Sequence, residues 1–441
     1  MADAHPIVQR FHHLVQRHQV PGAQLALYLD GEMLQTAAGV QECGTGRPVR
    51  PESKFPAASI SKSFTATTAM LLVADGDLEL DLPIGAYLPE LESSSTGFGA
   101  AVTLRQILSH TSGLPDLSGT HTTSLRRYAV DSFHGSDFVL SPGQGFSYSN
   151  LGYALAGLLI EEATGMNWWQ AVDRILLKPL GLEGSFAVSP GTTPRGGVSG
   201  HSVRHGHVRP VAQTLSPAEA PIGGIAASAA DLVTFGRAHL YHEVNPHALR
   251  LLDAGTLRQM HRAAAHADAF GLADGWGLGL ALFRGRDTEW WGHDGAADGI
   301  WNFLRIHPEN GCVIAVTTNA GTGLDLWIDL SADLRDLDLP RPQYTAPPLA
   351  QDPVPAVPEY SGTYANGETR YSIVAQDGRA YCSIDRDTQV ELTCYPPDLF
   401  SVPDPLSGSR AGYGRFARDP VTGTVTGIRS GGRFAKRTRS S

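Results

Sequence analysis

The sequence predicts an α+β fold: an antiparallel sheet with flanking helices and a helical insert, followed by a small antiparallel β-barrel. Two observations predict this arrangement. Strand patterns stand near the N-terminus and return after residue 276, with mainly helical patterns between them. Short strands separated by turn signals then fill residues 359–441. Prolines are concentrated in residues 340–358, which predicts an extended linker there. We therefore expect a large domain over residues 1–339 and the barrel over residues 359–441.

Each element has a local signal. Two strand-like runs, 24–29 and 33–38, surround Asp30-Gly31, which is a strong hairpin signal. Residues 64–270 are mostly helical with long loops. Later strands are predicted at 277–283, 288–291, 301–306 and 312–317, with a closing helix at 325–334. Strands at both ends of one domain fit a single sheet.

Composition disfavours several classes of function. The chain has 441 residues, 42% of them hydrophobic, and a net charge of −10. Its one basic patch is the tail 429–439, which argues against a nucleic-acid partner. Four cysteines without CxxC spacing argue against zinc and are predicted to be free thiols. His201, His205 and His207 have metal-like spacing, but a hairpin tip explains them better. We expect no metal and no cofactor.

Nothing in the sequence predicts secretion or membrane insertion. No stretch approaches 18 apolar residues. Residues 1–18 have an amphipathic pattern but lack the apolar run and cleavage site of a signal peptide. The sequence therefore predicts a cytoplasmic protein with no membrane partner.

Ser59 and Lys62 carry the strongest chemical signal. They stand three residues apart at the start of a predicted helix that Gly76 ends, so their side chains share one face. In one interpretation, Ser59 simply caps the helix. In the other, an unprotonated Lys62 amine in a dry pocket takes the proton of a nucleophilic Ser59 hydroxyl. This pattern alone leaves both interpretations open.

Further motifs follow in a fixed order. Residues 148–150 read Tyr-Ser-Asn before an apolar helical run, and residues 293–295 read His-Asp-Gly at the start of a predicted strand. Together with segments 108–115 and 223–232, they resemble the serine β-lactamase and penicillin-binding-protein superfamily, in its class C-like branch, over residues 7–335. The resemblance implies a β-lactamase/transpeptidase-like domain. The opening of the barrel at residue 359 is similar to an appended lipocalin-like domain, which could bind substrate or cover an edge.

The resemblance assigns catalytic roles to the first two motifs. Ser59 would be acylated and Lys62 would be the base. Tyr148 would relay the proton, either through its hydroxyl or as a phenolate stabilised by Lys62. Asn150 would donate to a substrate carbonyl or fix Lys62.

The third motif departs from the pattern most common in β-lactamases. His293 stands where a lysine is usual, so a neutral imidazole that hydrogen-bonds Tyr148 is expected in place of a fixed cation. The backbone N–H groups of Ser59 and Ala296 would form the oxyanion hole, and Asp294 and Gly295 would contact substrate. Trp168 either lies in the core or lines the substrate cleft.

Within the superfamily, the sequence looks most like the penicillin-binding-protein-type thioesterases. These take a nonribosomal peptide from a peptidyl carrier protein onto serine and release it as a macrocycle. The resemblance implies a D-configured residue at the acylating carbon. A cytosolic D-aminopeptidase, D-amino-acid amidase or esterase acting on free peptide is the alternative. A DD-carboxypeptidase or a non-catalytic penicillin-binding module is less consistent with the filled motifs.

Overall fold

A computed structural model describes residues 5–92, 101–188, 197–243, 245–334, 352–385, 389–403 and 411–438. The helices are α1 (Pro6–Arg17), α2 (Ser61–Asp75), α3 (Leu104–Leu108), α4 (Leu125–His134), α5 (Asn150–Thr164), α6 (Trp168–Val172), α7 (Ala220–Gly223), α8 (Ala229–Arg237), α9 (Ala254–Met260) and α10 (Gly323–Asp333). The strands before residue 335 are β1 (Gly22–Leu29), β2 (Glu32–Gly39), β3 (Phe55–Pro56), β4 (Gly200–Arg204), β5 (His207–Val211), β6 (Ala226–Ala227), β7 (Gly275–Trp276), β8 (Ala281–Arg284), β9 (Glu289–Ala297), β10 (Ile300–His307) and β11 (Cys312–Thr318).

One antiparallel sheet joins both ends of this region, as predicted. Its strand order is β2-β1-β11-β10-β9-β8-β7, so β1 from the N-terminus lies beside β11. The β1–β2 hairpin turns at Asp30 and Gly31, whose φ angles are +51° and +88°. The pairing of β1 with β11 inside the sheet makes the sheet depend on contacts between distant parts of the chain.

The predicted strand at 277–283 is wrong in its first half. A tight turn occupies that position, in which the Gly277 N–H donates to the Leu280 carbonyl at 2.8 Å. Gly279 has φ +82°, a left-handed conformation that glycine adopts without steric cost. Only the second half of the predicted strand is extended, as β8, and the turn joins it to β7, which ends just before residue 277.

The sheet separates two cores because successive side chains of a strand point to opposite faces. On one face, Leu304 and Ile306 pack with α2, α5 and α8. On the other face, Phe303 packs with α1 and α10. Helix α1 buries Ile7, Val8, Phe11, Leu14 and Val15, which agrees with its amphipathic sequence.

Helix α2 runs through the larger core rather than along its surface. Every residue from Ser61 to Met70 is buried, so the helix has no solvent-facing stripe there. Phe64 stacks on Phe235 of α8 with 3.9 Å between ring centroids. The helix ends at Gly76, as predicted, in a left-handed C-cap with φ +85°. Packing on all sides holds the start of α2, where Ser59 and Lys62 lie, in a fixed position.

The C-terminal strands close into an eight-stranded antiparallel barrel, as predicted. They are β12 (Gly362–Asn366), β13 (Thr369–Gln376), β14 (Arg379–Ile384), β15 (Val390–Tyr395), β16 (Leu399–Pro403), β17 (Ala411–Arg418), β18 (Val425–Ser430) and β19 (Arg433–Arg437). Pairing of β12 with β19 closes the ring. Most of the predicted linker, residues 340–351, lies outside the described residues. The stretch before the barrel is tied to it, since the Val354 N–H donates to the Cys394 carbonyl at 2.9 Å.

The residues that could have indicated a metal have structural roles. His205 and Gly206 form the tip of the β4–β5 hairpin, as predicted. Both ring nitrogens of His201 are bonded, to the Cys43 N–H at 3.0 Å and the Asn319 carbonyl at 2.8 Å. Across the described ranges, no three histidine, cysteine or acidic residues form a group that could hold a metal ion. All four cysteines are free thiols.

The described part of the chain contains no helix that is both long enough and apolar enough to cross a membrane.

Candidate active site

Ser59 lies in a short 3-10 turn, Ala58–Ile60, immediately before α2. Ala58 has φ +49°, a strained conformation for a residue with a side chain. Lys62 Nζ lies 3.1 Å from Ser59 Oγ, and Ser59 is partly exposed while Lys62 is fully buried. Helix α2 has Ile60 at its N-cap and no side-chain cap, so the capping interpretation of Ser59 is wrong. The arrangement presents an accessible hydroxyl to a dry amine.

Burial changes the protonation of Lys62. It lowers the pKa of the amine to about 7, because the charged form loses its hydration. The negative charges of Asp116 and, more weakly, Glu219 raise the pKa of Lys62 and so oppose this shift, whereas the positive charge of Arg433 lowers it further. The amine also lies 3.2 Å from the Ile222 carbonyl oxygen. A substantial neutral fraction near pH 7 makes Lys62 a competent base toward Ser59.

Tyr148 completes the group around Ser59. Its ring centroid is 5.0 Å from Lys62 Nζ, and its side chain is buried. Burial raises the pKa of the phenol well above its ordinary value, and a hydrogen bond with Ser59 opposes the shift only in part. Of the two predicted forms of Tyr148, the structure therefore favours the neutral hydroxyl over the phenolate.

His293 is buried and neutral, as the sequence predicted. Burial lowers the pKa of its imidazole to about 3, and the positive charge of Lys62 acts in the same direction. Its Nδ1 lies 2.6 Å from the Asp294 carbonyl oxygen, which can only accept, so Nδ1 carries the proton. Nε2 is left as an acceptor, with no hydrogen-bond partner among the described residues. The expected hydrogen bond to Tyr148 is absent between these two described rings, whose centroids are 6.3 Å apart.

Asn150 is the first residue of α5 and lies beside this group. Its backbone N–H donates to Asp116 Oδ1 at 2.8 Å, which anchors the start of the helix. Its side-chain oxygen is buried and has no partner within the described ranges. Lys62 Nζ hydrogen-bonds Ser59 Oγ and the Ile222 carbonyl oxygen. Of the two roles expected for Asn150, a contact that fixes Lys62 is therefore not observed between these described residues.

Gly295 brings strand β9 against the nucleophile turn. A Cβ atom at this position would lie only 2.2 Å from the Ala57 carbonyl oxygen, so no larger residue fits without moving the backbone. Ala296 follows on an exposed part of the strand. Strand β8 pairs with β9 only as far as Gly292, so residues 293–297 pair on that side with no described strand. The predicted oxyanion-hole residues Ser59 and Ala296 thus belong to segments in direct contact.

The protein-family model for Beta-lactamase matches residues 7–337, about three quarters of the chain. The chain belongs to the Beta-lactamase family. Penicillin-binding protein 4 of Amycolatopsis lactamdurans is 34% identical over 367 residues, which cover 81% of this chain and 96% of that protein. The predicted membership of the serine β-lactamase and penicillin-binding-protein superfamily is confirmed.

Solved structures extend the likeness to the barrel. A crystal structure of SurE superposes with a TM-score of 0.87 at 36% identity and covers 99% of both chains. SurE has also been crystallised with D-Leu, and that structure superposes with a TM-score of 0.84. A D-stereospecific amidohydrolase from Streptomyces sp. is 26% identical, with a TM-score of 0.58, over 72% of this chain and 96% of its own.

Two predicted substrate contacts of this Beta-lactamase-family chain need correction. Asp294 is engaged by Arg305, which is fully buried and donates to its carboxylate at 2.6 Å. The Asp294 carboxylate is therefore part of a structural ion pair. Trp168 is also fully buried, and its indole N–H donates to Thr65 at 3.2 Å. Between the two alternatives for Trp168, the core is correct, because α6 packs this side chain behind α2 instead of toward Ser59.

The sequence interpretation missed a contribution from the barrel. Arg433, at the start of β19, donates to Asp116 Oδ2 at 2.5 Å, and its guanidinium carbon is 5.0 Å from the Tyr148 ring centroid. The adjacent Gly432 carbonyl accepts the Tyr148 N–H at 2.9 Å. The available signal is a basic residue directly after the Gly431-Gly432 pair, inside the basic tail 429–439.

His110, within the segment 108–115, is a further part of the site that the motifs do not assign. Its ring stacks on Tyr148 with 4.3 Å between centroids. Its Nδ1 accepts the Ser149 N–H at 3.1 Å, so the remaining ring proton is on Nε2. Trp276 packs edge-on against both His110 and His293. These rings form an aromatic wall that excludes water from the buried side of Tyr148.

Proposed function

We propose that the protein is a serine acyltransferase that accepts a nonribosomal peptidyl thioester with a C-terminal D-residue and releases it by head-to-tail macrocyclisation. One observation carries the proposal: the chain resembles SurE over 99% of both chains, barrel included, and SurE has been crystallised with D-Leu. The resemblance to penicillin-binding-protein-type thioesterases in the motifs points to the same reaction.

In the first half-reaction, the Ser59 hydroxyl attacks the thioester carbonyl. Neutral Lys62, 3.1 Å away, takes the hydroxyl proton. The carbonyl oxygen becomes negative in the tetrahedral intermediate, and the backbone N–H groups of Ser59 and Ala296 would stabilise it. As the C–S bond breaks, the Tyr148 hydroxyl gives its proton to the leaving sulfur and recovers one from Lys62. The products are acyl-Ser59 and a free thiol.

In the second half-reaction, the peptide's own amino group replaces water as the nucleophile. It attacks the acyl-Ser59 carbonyl, loses a proton to the Lys62–Tyr148 pair, and forms the closing peptide bond. The C–O bond to Ser59 breaks, and the serine oxygen regains a proton. Cyclisation wins over hydrolysis only when the site holds the amine in attack geometry and keeps water from an aligned approach.

The charges around the site fit an acyl substrate without a terminal carboxylate. His293 is neutral where most β-lactamases carry a lysine, and the Arg433 charge is balanced by Asp116. A free carboxylate would therefore meet no unpaired cation at either residue. A thioester carries no such charge. The proposal implies a cytoplasmic enzyme that meets its substrate on a peptidyl carrier protein or as a free peptide.

The test uses an octapeptidyl thioester that ends in a D-residue and has a free amino terminus. Mass spectrometry of the products is expected to give mainly cyclic peptide, with slow or no reaction of the L-ended epimer. Ser59→Ala is the control and should abolish both turnover and the acyl-enzyme mass shift. Mainly linear acid from the D-ended substrate would overturn the cyclase proposal.

A second candidate is a D-aminopeptidase, D-amino-acid amidase or esterase with the same acyl-enzyme chemistry. The likeness to a D-stereospecific amidohydrolase at 26% identity favours it. The two functions differ in whether water or a tethered amine resolves the intermediate. Ready cleavage of D-amino-acid amides together with linear product from the thioester would select this candidate.

A further inference from the structure

A large cavity beside the turn between β9 and β10 has no role in the chemistry described above. Its volume is about 590 Å³, within the usual range for ligand sites. Its walls come from segments 41–56, 185–187, 197–200 and 211–213, and from three single residues, Ala226, Asp298 and Ile300. None of these residues belongs to the barrel. The cavity is thus a feature of the catalytic domain.

The inner end of the cavity adjoins the nucleophile turn. Pro56 and Ala226 line it and face each other in the β3–β6 ladder. Consecutive Cα atoms are about 3.8 Å apart, so Pro56 lies at most about 11 Å from Ser59, and Asp298 at most about 8 Å from Ala296. An acyl chain that leaves Ser59 past Ala296 therefore reaches this cavity within its first few residues.

Toward the barrel, the described residues next to Ser59 leave less space. Lys62, Tyr148 and His110 are buried and fill the side toward the barrel. A second cavity, beside Asp116 and Glu368, has a volume of about 180 Å³, less than a third of the first. Of these two cavities, only the one next to Pro56 could hold several residues of a peptide.

The lining fits a peptide of mixed polarity. Pro56, Val198 and Ile300 give buried apolar surface at the inner wall. The mouth carries Glu42 and Arg47, whose ion pair is loose at 3.4 Å, with both side chains a third or more exposed. A weak, exposed pair of this kind can exchange its partner for a substrate group at little cost.

We propose that this cavity binds the body of the acyl peptide, the residues that precede the one esterified to Ser59. The inference rests on the proposed function only in requiring a peptidyl substrate, and it applies equally to a hydrolase of long peptides. Holding the middle of the chain here leaves the two peptide ends near Ser59. The cavity therefore confers a preference for long acyl chains over a single acyl residue.

The experiment compares two substrates that share their reacting end: an octapeptidyl thioester ending in D-leucine and an N-acetyl-D-leucyl thioester. Release of the thiol is measured, so hydrolysis and cyclisation count alike. Ala212→Trp fills the exposed mouth and Ala226→Leu fills the inner end. Ala101→Trp, at an exposed alanine outside the lining, is the matched control.

Both filled variants are expected to lose at least about tenfold in kcat/KM for the octapeptidyl substrate and to stay within about twofold for the short one. The control should change neither. Equal slowing of both substrates, or a wild-type enzyme that does not prefer the long one, would overturn the proposal. If Ala226→Leu lowers the melting temperature, the kinetics of Ala212→Trp, at the exposed mouth, are used to test the proposal. If the octapeptidyl thioester gave linear product, the proposed cyclisation would be contradicted. The comparison of long and short substrates would still test the peptide-binding role of the cavity.

Discussion

Arg433 of the barrel donates to the carboxylate of Asp116 in the β-lactamase-like fold at 2.5 Å. The same carboxylate accepts the Asn150 N–H, and the Arg433 guanidinium faces the Tyr148 ring. The barrel thereby supplies a charge to the group of residues that surrounds Ser59. Since the sequence had left open whether the barrel binds substrate or covers an edge, this contact adds a third role, which is to support the Tyr148 loop.

Replacing Arg433 should shift the pH dependence of the enzyme. The Arg433 charge lowers the pKa of Lys62, and Asp116, which raises it, would lose its counter-ion in Arg433→Gln. The neutral amine then accumulates only at higher pH, so kcat/KM at pH 7 should fall roughly tenfold and recover in alkaline buffer.

The measurement is the rate profile of Arg433→Gln beside that of Arg379→Gln, which alters an exposed barrel arginine paired with Glu391. If the rate of both variants falls on the acid side at the same pH, Arg433 does not affect the pKa of Lys62.

The wild-type profile should itself rise through about pH 7. Lys62 acts as a base only when neutral, and its pKa of about 7 places that change in the neutral range. Lys62→Ala should lose about three decades in kcat, whereas Lys178→Ala, at a surface lysine paired with Asp173, should retain full activity. Steady-state kinetics of the three enzymes test this. A Lys62→Ala enzyme within about tenfold of wild type would require a different base.

Gly295→Ala should damage catalysis without unfolding the protein. The added Cβ would meet the Ala57 carbonyl oxygen at 2.2 Å and push β9 away from the nucleophile turn. A displacement of this kind between a nucleophile and its oxyanion donors costs about a hundredfold in rate. Gly321→Ala is the matched control, since its Cβ would meet no atom within 4 Å. The prediction fails if the two variants have equal kcat, or if Gly295→Ala is unfolded where Gly321→Ala is folded.

Asp294→Ala should lower stability more than substrate affinity. Removing the carboxylate leaves the fully buried Arg305 guanidinium without its anion, which costs about 3 kcal/mol. Asp333→Ala breaks an exposed pair with Arg10 and should cost less than about 1 kcal/mol. Urea unfolding of both variants measures the difference. A large rise in KM with unchanged stability would restore the interpretation of Asp294 as a substrate contact.

Short-range rules account for what the sequence alone determined. The hairpin at Asp30-Gly31 and the helix end at Gly76 follow from backbone conformations that few residues adopt. The separation of Ser59 and Lys62 follows from the helical repeat that begins at the nucleophile turn. Tyr148 and His293 came from motif resemblance, because no local pattern brings residues so far apart in the chain together.

The tertiary structure supplied the burial and the neighbouring charges that set the protonation and orientation of the site. The pKa of Lys62 depends on burial and on Asp116 and Arg433, which come from different domains. The Asp294 carboxylate turned to Arg305 because the neighbouring strand placed a buried cation there. Burial and charge are set by neighbours in space, and the sequence around each residue does not specify them. The sequence therefore predicts which groups react, while the packed fold determines which of them are charged and where they point.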